Sequence, residues 1–129
     1  MIVDASAVLA IMFDEPESQA FKLHLASVQG PHPISAVNYV EAAVRLDNDA
    51  AGKGMELDAV LDALDVRVAS VSVKEASLAR SAYRKFGKGN HPAKLNLGDC
   101  FAYALSKARG EPLLYKGEDF RLTDVEAAL

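Results

Sequence analysis

The sequence predicts an α/β protein, a three-layer α/β/α sandwich whose central sheet is mainly parallel. The first observation is that short apolar, strand-like stretches alternate with helical stretches along the 129-residue chain, which is the pattern of βαβ units. The second is a composition that is half hydrophobic and a quarter charged, as in ordinary globular proteins. A chain of this length fits one domain, and we expect a single domain over residues 1–129.

The N-terminal part of the chain predicts one strand and two helices. Met1–Val3 is a short apolar strand that leads directly to an acid, Asp4. Ser6 then opens an apolar helical stretch, Ala7–Phe13. Pro16 suits the first turn of a second helix, whose apolar residues recur at spacings of four and three.

The middle of the chain predicts a strand followed by two helices. Ile34–Ser35, just after two prolines, is a brief strand. Val37, Val40 and Val44 mark one apolar face of the next helix, which we expect to be packed. The apolar residues of Leu57–Leu64 form the stripe of another helix.

The next segment predicts a strand, a helix and a loop. Val66–Val73 is β-branched and alternating, which is typical of a strand. Ser72 and Glu75 have the spacing of a capping box, so a helix is expected to run from there to about Phe86. The glycines, asparagine and proline of residues 87–92 predict a loop.

The C-terminal segment predicts the last helix and the fourth strand. Asn96 is expected to cap a helix that Gly110 closes. Pro112–Tyr115 is the fourth strand, and the final residues are expected to add at most one short edge strand.

Several classes of protein are excluded by composition and motif. No apolar run approaches the roughly 20 residues that span a bilayer, and the acid at position 4 does not fit a secretory signal. A single cysteine, Cys100, cannot form an internal disulfide or a cysteine-rich zinc site. No histidine pair has zinc-ligand spacing, and no dinucleotide fingerprint, Walker A loop or hydrolase elbow is present. A cytoplasmic protein without membrane contact is expected.

The net charge of −4 hides an asymmetry between the two halves of the chain. Residues 1–70 carry a charge of −7 and residues 71–129 a charge of +3. Between Lys74 and Lys94, six basic residues stand against one acid, Glu75. Such a stretch can attract phosphates, although basic residues on the solvated face of a helix are common.

Two acids are expected at the carboxyl-terminal edge of the sheet, where sites in open parallel sheets gather. Asp4 directly follows the first strand, and Asp119 follows the fourth strand by a few residues. An Asp at a strand-to-helix junction is also a common helix cap. For Asp4 taken alone, a structural and a functional role are equally open.

Two further acids lie on helices. Glu41 falls on the valine face of its helix, where a carboxylate needs a cation such as Arg45, a hydrogen-bond partner or a route to water. Asp99 is third in the helix capped by Asn96, where the helix dipole favours an acid that completes the cap. Cys100 beside it is best explained as a small buried hydrophobe.

Together the four acids Asp4, Glu41, Asp99 and Asp119 predict a metal site. Carboxylates that converge repel one another unless a cation neutralises them. Mg²⁺ or Mn²⁺ is the natural choice because both prefer oxygen ligands. Such a site can activate water and stabilise the leaving oxygen of a phosphodiester.

Three segments, with Glu41 between the first two, carry a resemblance to a known family. They are Met1–Ala7, Leu95–Ala104 and the stretch from Leu113 to Asp124. In this order they resemble the PIN-domain ribonucleases, and more narrowly the VapC toxins of VapBC toxin–antitoxin pairs. The block Asn-Leu-Gly-Asp-Cys-Phe is the specific part of the match, whereas the opening Asp-Ala-Ser is weak alone.

The resemblance implies Mg²⁺- or Mn²⁺-dependent cleavage of RNA, tRNA or another structured RNA, by a homodimer. It also implies inhibition by a cognate VapB-type antitoxin whose C-terminal segment occupies the active-site groove. By position, Asp4 and Asp99 match direct metal ligands, and Glu41 matches a ligand or an orienter of water. Ser6 matches the hydroxyl residue that supports the first Asp.

Two positions depart from the family pattern. Many relatives carry Thr-x-Asp after the fourth strand, where this chain has residues 115–117, Tyr-Lys-Gly. Asp119 is therefore the best fourth acid, with Glu118 and Asp124 as alternatives. Asn90 stands where close relatives often carry an Arg, which removes one possible phosphate contact without touching catalysis.

The basic C-terminal half supplies candidate RNA contacts. His91 is the least specific of them, because a histidine in a loop more often caps the loop than binds RNA. A catalytically inactive PIN-like module that binds RNA or protein remains the alternative function; a receiver domain is disfavoured, because no Asp follows the third strand. The candidate RNA-binding residues are Arg84, Lys85, Lys88, His91, Lys94 and Lys116.

Overall fold

A computed structural model describes all 129 residues. It contains four strands and six α-helices, in the alternating order that the sequence predicts, and two short 3₁₀ helices at Lys53–Glu56 and Asp119–Leu122. The elements are β1 (Ile2–Val3), α1 (Ala5–Met12), α2 (Ser18–Ser27), β2 (His32–Ser35), α3 (Ala36–Asp47), α4 (Leu57–Ala63), β3 (Val66–Ala69), α5 (Val73–Phe86), α6 (Leu97–Arg109) and β4 (Leu113–Leu114).

All strand pairing is parallel. β1 pairs with β4, and β2 pairs with β3, while β1 lies beside β2. The carboxyl ends of the strands therefore meet at one edge of the sheet. The expected extra edge strand is reduced to a single parallel bridge between Leu113 and Ala127.

Neighbouring residues on the strands point into two separate cores. Ile2 and Leu113 pack with α5 and α6 on one face of the sheet. Val3 and Leu114 pack with α1, α2, α3 and α4 on the other. This alternation is what a strand covered on both faces requires, and it confirms the predicted three-layer α/β/α sandwich.

The helix ends follow the local sequence signals. Ser72 with Glu75 and Asn96 with Asp99 form complete capping boxes at the starts of α5 and α6, as predicted. Gly110 closes α6 with φ +64°, a conformation that favours glycine. The prediction that Ser6 opens α1 needs a correction, because Asp4 is the N-cap and the helix begins one residue before Ser6.

The predicted packing face of α3 is wrong. Val40 and Val44 are 54% and 53% exposed, whereas the residues that α3 buries are Asn38, Ala42 and Leu46. Periodicity reports that apolar residues share a face, but it does not say whether that face meets the core. Glu41 therefore lies on an exposed apolar face.

None of the helices combines the length and the hydrophobicity that crossing a bilayer requires.

Candidate active site

Asp4 is held at the end of β1 by the turn that starts α1. It is only 3% exposed, and its Oδ2 accepts hydrogen bonds from the Ser6 backbone N–H at 3.0 Å and the Ser6 hydroxyl at 2.6 Å. The Lys116 backbone N–H donates to the same hydroxyl oxygen at 3.0 Å. Burial raises the pKa of Asp4, the hydrogen bonds oppose this rise, and the charge of Asp119 adds to it.

Glu41 reaches the site from α3, with its carboxylate turned towards the start of α6. The Asn38 amide donates to Glu41 Oε1 at 2.8 Å and to the Gly98 carbonyl oxygen at 2.9 Å. Any Cβ at position 98 would overlap the Glu41 carboxylate. Loss of water around this carboxylate raises its pKa, against the effect of the Asn38 hydrogen bond, and the charge of Asp4 raises it further.

The alternative that Glu41 pairs with Arg45 is not observed. The Arg45 guanidinium lies over the Phe13 ring, 4.8 Å from the ring centre. The only recorded partner of the Glu41 carboxylate is Asn38, so its second oxygen is left for a ligand or for water.

Asp99 combines a capping role with a place among the acids. Its Oδ2 accepts from the Asn96 backbone N–H at 3.1 Å, which completes the cap of α6. Burial is the main cause that raises the pKa of Asp99 to about 7, and the charges of Asp4, Asp119 and Glu41 add to the rise. Asp99 can therefore cap α6 and belong to the acidic site at the same time.

Among the three candidates for a fourth acid, Asp119 is the one whose charge acts on Asp4 and Asp99. It is exposed and begins the 3₁₀ helix after β4. Glu118 instead pairs with Arg121 at 2.7 Å.

Asp124 is committed elsewhere in the fold. It accepts the Tyr103 hydroxyl at 2.6 Å and pairs with the Lys107 ammonium at 2.9 Å. These contacts, the Tyr103 hydrogen bond first, hold the pKa of Asp124 below its usual value.

The donor set fits a hard divalent ion, although it does not form a closed cage. The side chains contributed by the four acids are oxygen donors, which Mg²⁺ and Mn²⁺ prefer. No three acidic, histidine or cysteine side chains lie close enough to hold one ion between them. Mg²⁺ commonly uses one or two carboxylates and keeps several waters, so an open arrangement is compatible with it.

The predicted RNA-binding cations divide into free and engaged groups. Arg84, Lys85, Lys88 and Lys94 are exposed and form no ion pair, although the Lys85 ammonium lies 5.0 Å from the centre of the Phe86 ring. Their charges are free for an anion.

His91 mainly organises its own loop. Its Nδ1 accepts from the Ala93 backbone N–H at 3.0 Å. Its ring packs edge-on against Phe86, with ring centres 5.2 Å apart. His91 therefore caps its own loop, which is the alternative that the sequence also indicated.

Lys116 is the engaged cation of the predicted set. Its ammonium pairs with Glu15 and lies 3.2 Å from the Glu17 carboxylate. This contact ties the segment after β4 to the turn between α1 and α2. In this arrangement the Lys116 charge is paired with acids of the chain, unlike the four exposed cations above, and its predicted contact with RNA stays a prediction.

Two residues of the site escape sequence reasoning. Asn38 is fully buried and orients Glu41, and Gly98 leaves the space that the Glu41 carboxylate occupies. Two sequence features could have identified them. Gly98 is a glycine in the first turn of α6, where alanine would favour the helix, and Asn38 lies three residues before Glu41. A spacing of three places two side chains together on one helix.

Comparisons with known proteins agree over the whole chain. The PIN domain family matches residues 1–126. The Ribonuclease VapC of Mycolicibacterium smegmatis is 44% identical over 98% of this chain and 98% of its own length. Ribonuclease VapC30 of Mycobacterium tuberculosis is 42% identical over 97% of this chain and 95% of its own.

Solved structures share the fold at low sequence identity. VapC20 of Mycobacterium tuberculosis, described as a sarcin-ricin loop cleaving toxin, superposes with a TM-score of 0.77 at 16% identity, covering 96% of this chain and 95% of its own. A toxin–antitoxin complex from Klebsiella pneumoniae gives a TM-score of 0.71 at 16% identity, covering 95% of this chain and 92% of its own. With the full-length relatives above, these matches confirm the resemblance drawn from the sequence: the chain belongs to the PIN-domain family and, within it, to the VapC ribonucleases.

Proposed function

We propose that the protein hydrolyses RNA phosphodiester bonds with a divalent metal ion, Mg²⁺ or Mn²⁺, as the toxin of a toxin–antitoxin pair. The observation that carries this proposal is the set of four acids at one sheet edge, three of which have raised pKa values. Acids whose pKa values are shifted by burial and by each other are typical of functional sites. The proposed catalytic and metal-binding residues are Asp4, Glu41, Asp99 and Asp119.

In this proposal Asp4 and Asp99 are direct ligands, and each already has one oxygen fixed by a hydrogen bond. Ser6 supports Asp4, and the cap of α6 orients Asp99. When bound, the ion neutralises charge on the phosphodiester and makes water a better nucleophile. Asp119 lies on the open side, where it can complete the ligand set through water.

Glu41 is proposed to orient the attacking water or to bind the ion. Its Oε1 is held by Asn38, which leaves Oε2 to accept a proton. A carboxylate that takes a proton at neutral pH is more effective when its pKa is raised towards the working pH, and the pKa of Glu41 is raised.

The RNA backbone is proposed to follow the exposed cations of α5 and the loop before α6. Arg84, Lys85, Lys88 and Lys94 carry charges without acidic partners, and phosphate contacts of this kind supply most of the affinity for RNA. His91 has an adjacent place in this loop. An RNA substrate also makes the cytoplasm the proposed location.

The exposed valine face of α3 is proposed as the contact between two copies of the chain. Val37, Val40 and Val44 line an open groove of about 720 Å³ together with Ala36 and Glu41. A helix face that is mainly apolar, with Glu41 as its one charged residue, suits an isologous contact, in which the same patch meets its own copy. A Val40→Glu variant should be monomeric by light scattering while keeping its thermal stability.

A cognate antitoxin is the second proposed partner. Support comes from the curated VapC relatives and from the structural neighbour titled a toxin–antitoxin complex. Co-expression with a candidate VapB-type antitoxin should yield a stable complex whose ribonuclease activity is below that of the free chain.

The proposed activity is tested by cleavage of a total tRNA pool with the purified, antitoxin-free chain. Parallel reactions contain Mg²⁺, Mn²⁺ or EDTA, and the Asp99→Asn variant serves as the matched control. Discrete fragments that need the metal and are missing with the variant are the expected result. No cleavage by folded protein with either metal would instead favour a non-catalytic RNA- or protein-binding module.

A further inference from the structure

A second groove shares no lining residue with the groove along the valine face of α3. It lies between α5 and the first turns of α6 and has a volume of about 350 Å³. Leu97 is 67% and Tyr83 39% exposed, so both present apolar surface to solvent. The residues that matter for its chemistry are Arg80, Tyr83, Arg84, Leu97 and Phe101.

We propose that this groove binds one unpaired nucleotide of the RNA, with its base against Tyr83 and Phe101 and its phosphates near Arg80 and Arg84. The proposal rests on the proposed ribonuclease function and specifies its substrate as single-stranded at this position. Aromatic side chains bind any base through its flat face. A base that is stacked in a duplex does not offer that face, so recognition of this kind selects unpaired RNA.

The charges of the groove favour an anionic ligand. Arg80 and Arg84 are one helical turn apart, and neither forms an ion pair. The only acid on α5, Glu75, is buried and accepts from Ser72 in the capping box. The α3 groove, by contrast, has no cation among its lining residues.

The position of the groove connects it to the acids. Leu97 is the first residue of α6 and precedes Asp99 by two residues. A nucleotide bound beside Leu97 therefore lies at the same end of α6 as Asp99, although side chains two residues apart face different sides of a helix. In this proposal the strand continues around that end of α6 towards the acids, and the bound base fixes its register.

The test is binding of a single-stranded oligoribonucleotide that carries one fluorescent 2-aminopurine, measured in EDTA so that binding is separated from cleavage. The wild-type chain should bind and quench the fluorescence, and a duplex of the same sequence should bind more weakly without quenching. Tyr83→Leu should bind about 10-fold more weakly and lose the quenching, since each stacked base contributes a measurable share of affinity.

Two further variants sharpen the test. Tyr83→Phe keeps the ring and should retain both affinity and quenching. Arg80→Gln should lower the slope of log affinity against log salt by about 0.7, the value for one phosphate contact on a single strand. Arg109→Gln, the same substitution at the far end of α6, should leave that slope unchanged.

Several outcomes would overturn the proposal. One is equal affinity and equal quenching for wild type and Tyr83→Leu. Another is a Tyr83→Leu chain that loses a dimer in light scattering while its RNA binding persists, which would assign the groove to protein contact. Failure to bind any single-stranded RNA would also refute nucleotide binding in the groove, even if metal-dependent cleavage of folded RNA is intact. Binding and quenching without any metal-dependent cleavage would support the groove as a nucleotide-binding site and would refute the ribonuclease proposal.

Discussion

The site has two sides that are built in different ways. On the buried side, Asp4 has an oxygen held by a hydrogen bond from Ser6, and the more exposed Glu41 has one held by the buried Asn38, with Gly98 leaving room for its carboxylate. On the open side, Asp119 and the free cations of α5 and its loop are exposed. The difference indicates that the fold fixes the proposed metal ligands in advance, whereas the proposed contacts to RNA are left to exposed surface side chains.

The largest effect should come from comparing Asp4→Asn with Asp119→Asn. Metal ions contribute several kcal/mol to charge stabilisation, so loss of the buried ligand Asp4 should lower kcat/KM by about 1,000-fold. Loss of the exposed Asp119, which water can replace, should cost about 10-fold. Cleavage rates with Mn²⁺ and circular dichroism of both variants check this, and equal losses would remove the distinction between the two sides.

Gly98→Ala should have the next largest effect. The added methyl group would overlap the Glu41 carboxylate, and the first turn of α6 cannot move without shifting Asp99. Displacing an outer partner or a ligand of a metal site typically costs 10- to 100-fold in affinity or activity. Isothermal titration with Mn²⁺ should therefore show affinity lowered by about 30-fold. Ala102→Gly, a change of the same size elsewhere on α6, should keep the Mn²⁺ affinity of the wild type.

Asn38→Leu tests the same buried side through a different contact. The substitution keeps the size of the side chain, but it removes the donor to Glu41 and the donor from α3 to the Gly98 carbonyl oxygen. That oxygen lies in the first turn of α6 and still accepts within the helix, so each lost side-chain hydrogen bond should cost about 1 kcal/mol in the free energy of unfolding, measured by urea titration. Mn²⁺ affinity should fall about 10-fold, as for other lost supporting contacts. A stability loss with unchanged Mn²⁺ affinity would mean that Asn38 only packs the α3–α6 contact.

Local signals in the sequence were sufficient for most of the fold. The capping boxes at Ser72 and Asn96 join residues three apart, so the sequence alone specifies them. The exposed face of α3 was mispredicted because two faces of that helix carry apolar residues. The face with Ala42 and Leu46 packs against the core, whereas the face with the valines is exposed. The engagement of Lys116 by Glu15 was not predictable because it joins residues that are 101 apart. Long-range pairing of this kind depends on the fold as a whole.

The acids also predict how stability depends on pH in the absence of metal. The pKa of Asp99 is raised to about 7 in the folded chain, whereas the pKa of an Asp in the unfolded chain stays near its ordinary value of 3.8. Between these two values the unfolded state has already lost its proton, so the folded state should become less stable as pH rises from about 4 to 7. Above pH 7 this contribution should level off.

Thermal unfolding in EDTA between pH 5 and pH 8 measures this slope. The Asp99→Asn variant should show a flatter dependence, because the shifted group is absent. Mn²⁺ should stabilise the wild-type chain more at pH 8 than at pH 5, since it binds the ionised carboxylates. A melting temperature that rises with pH in EDTA would contradict the burial of these acids.

The smallest effect should separate two lysines that the sequence does not distinguish. Lys88 is exposed and unpaired, so Lys88→Gln should lower RNA affinity about two- to threefold and reduce its salt dependence. Lys116 is neutralised by Glu15 and Glu17, so Lys116→Gln should leave the salt dependence unchanged. Its effect should appear instead in the segment after β4, as faster hydrogen exchange at residues 115–120. If Lys116→Gln weakened RNA binding in a salt-dependent way, the ion pair would have to open when RNA binds, and the open side of the site would then include the segment after β4.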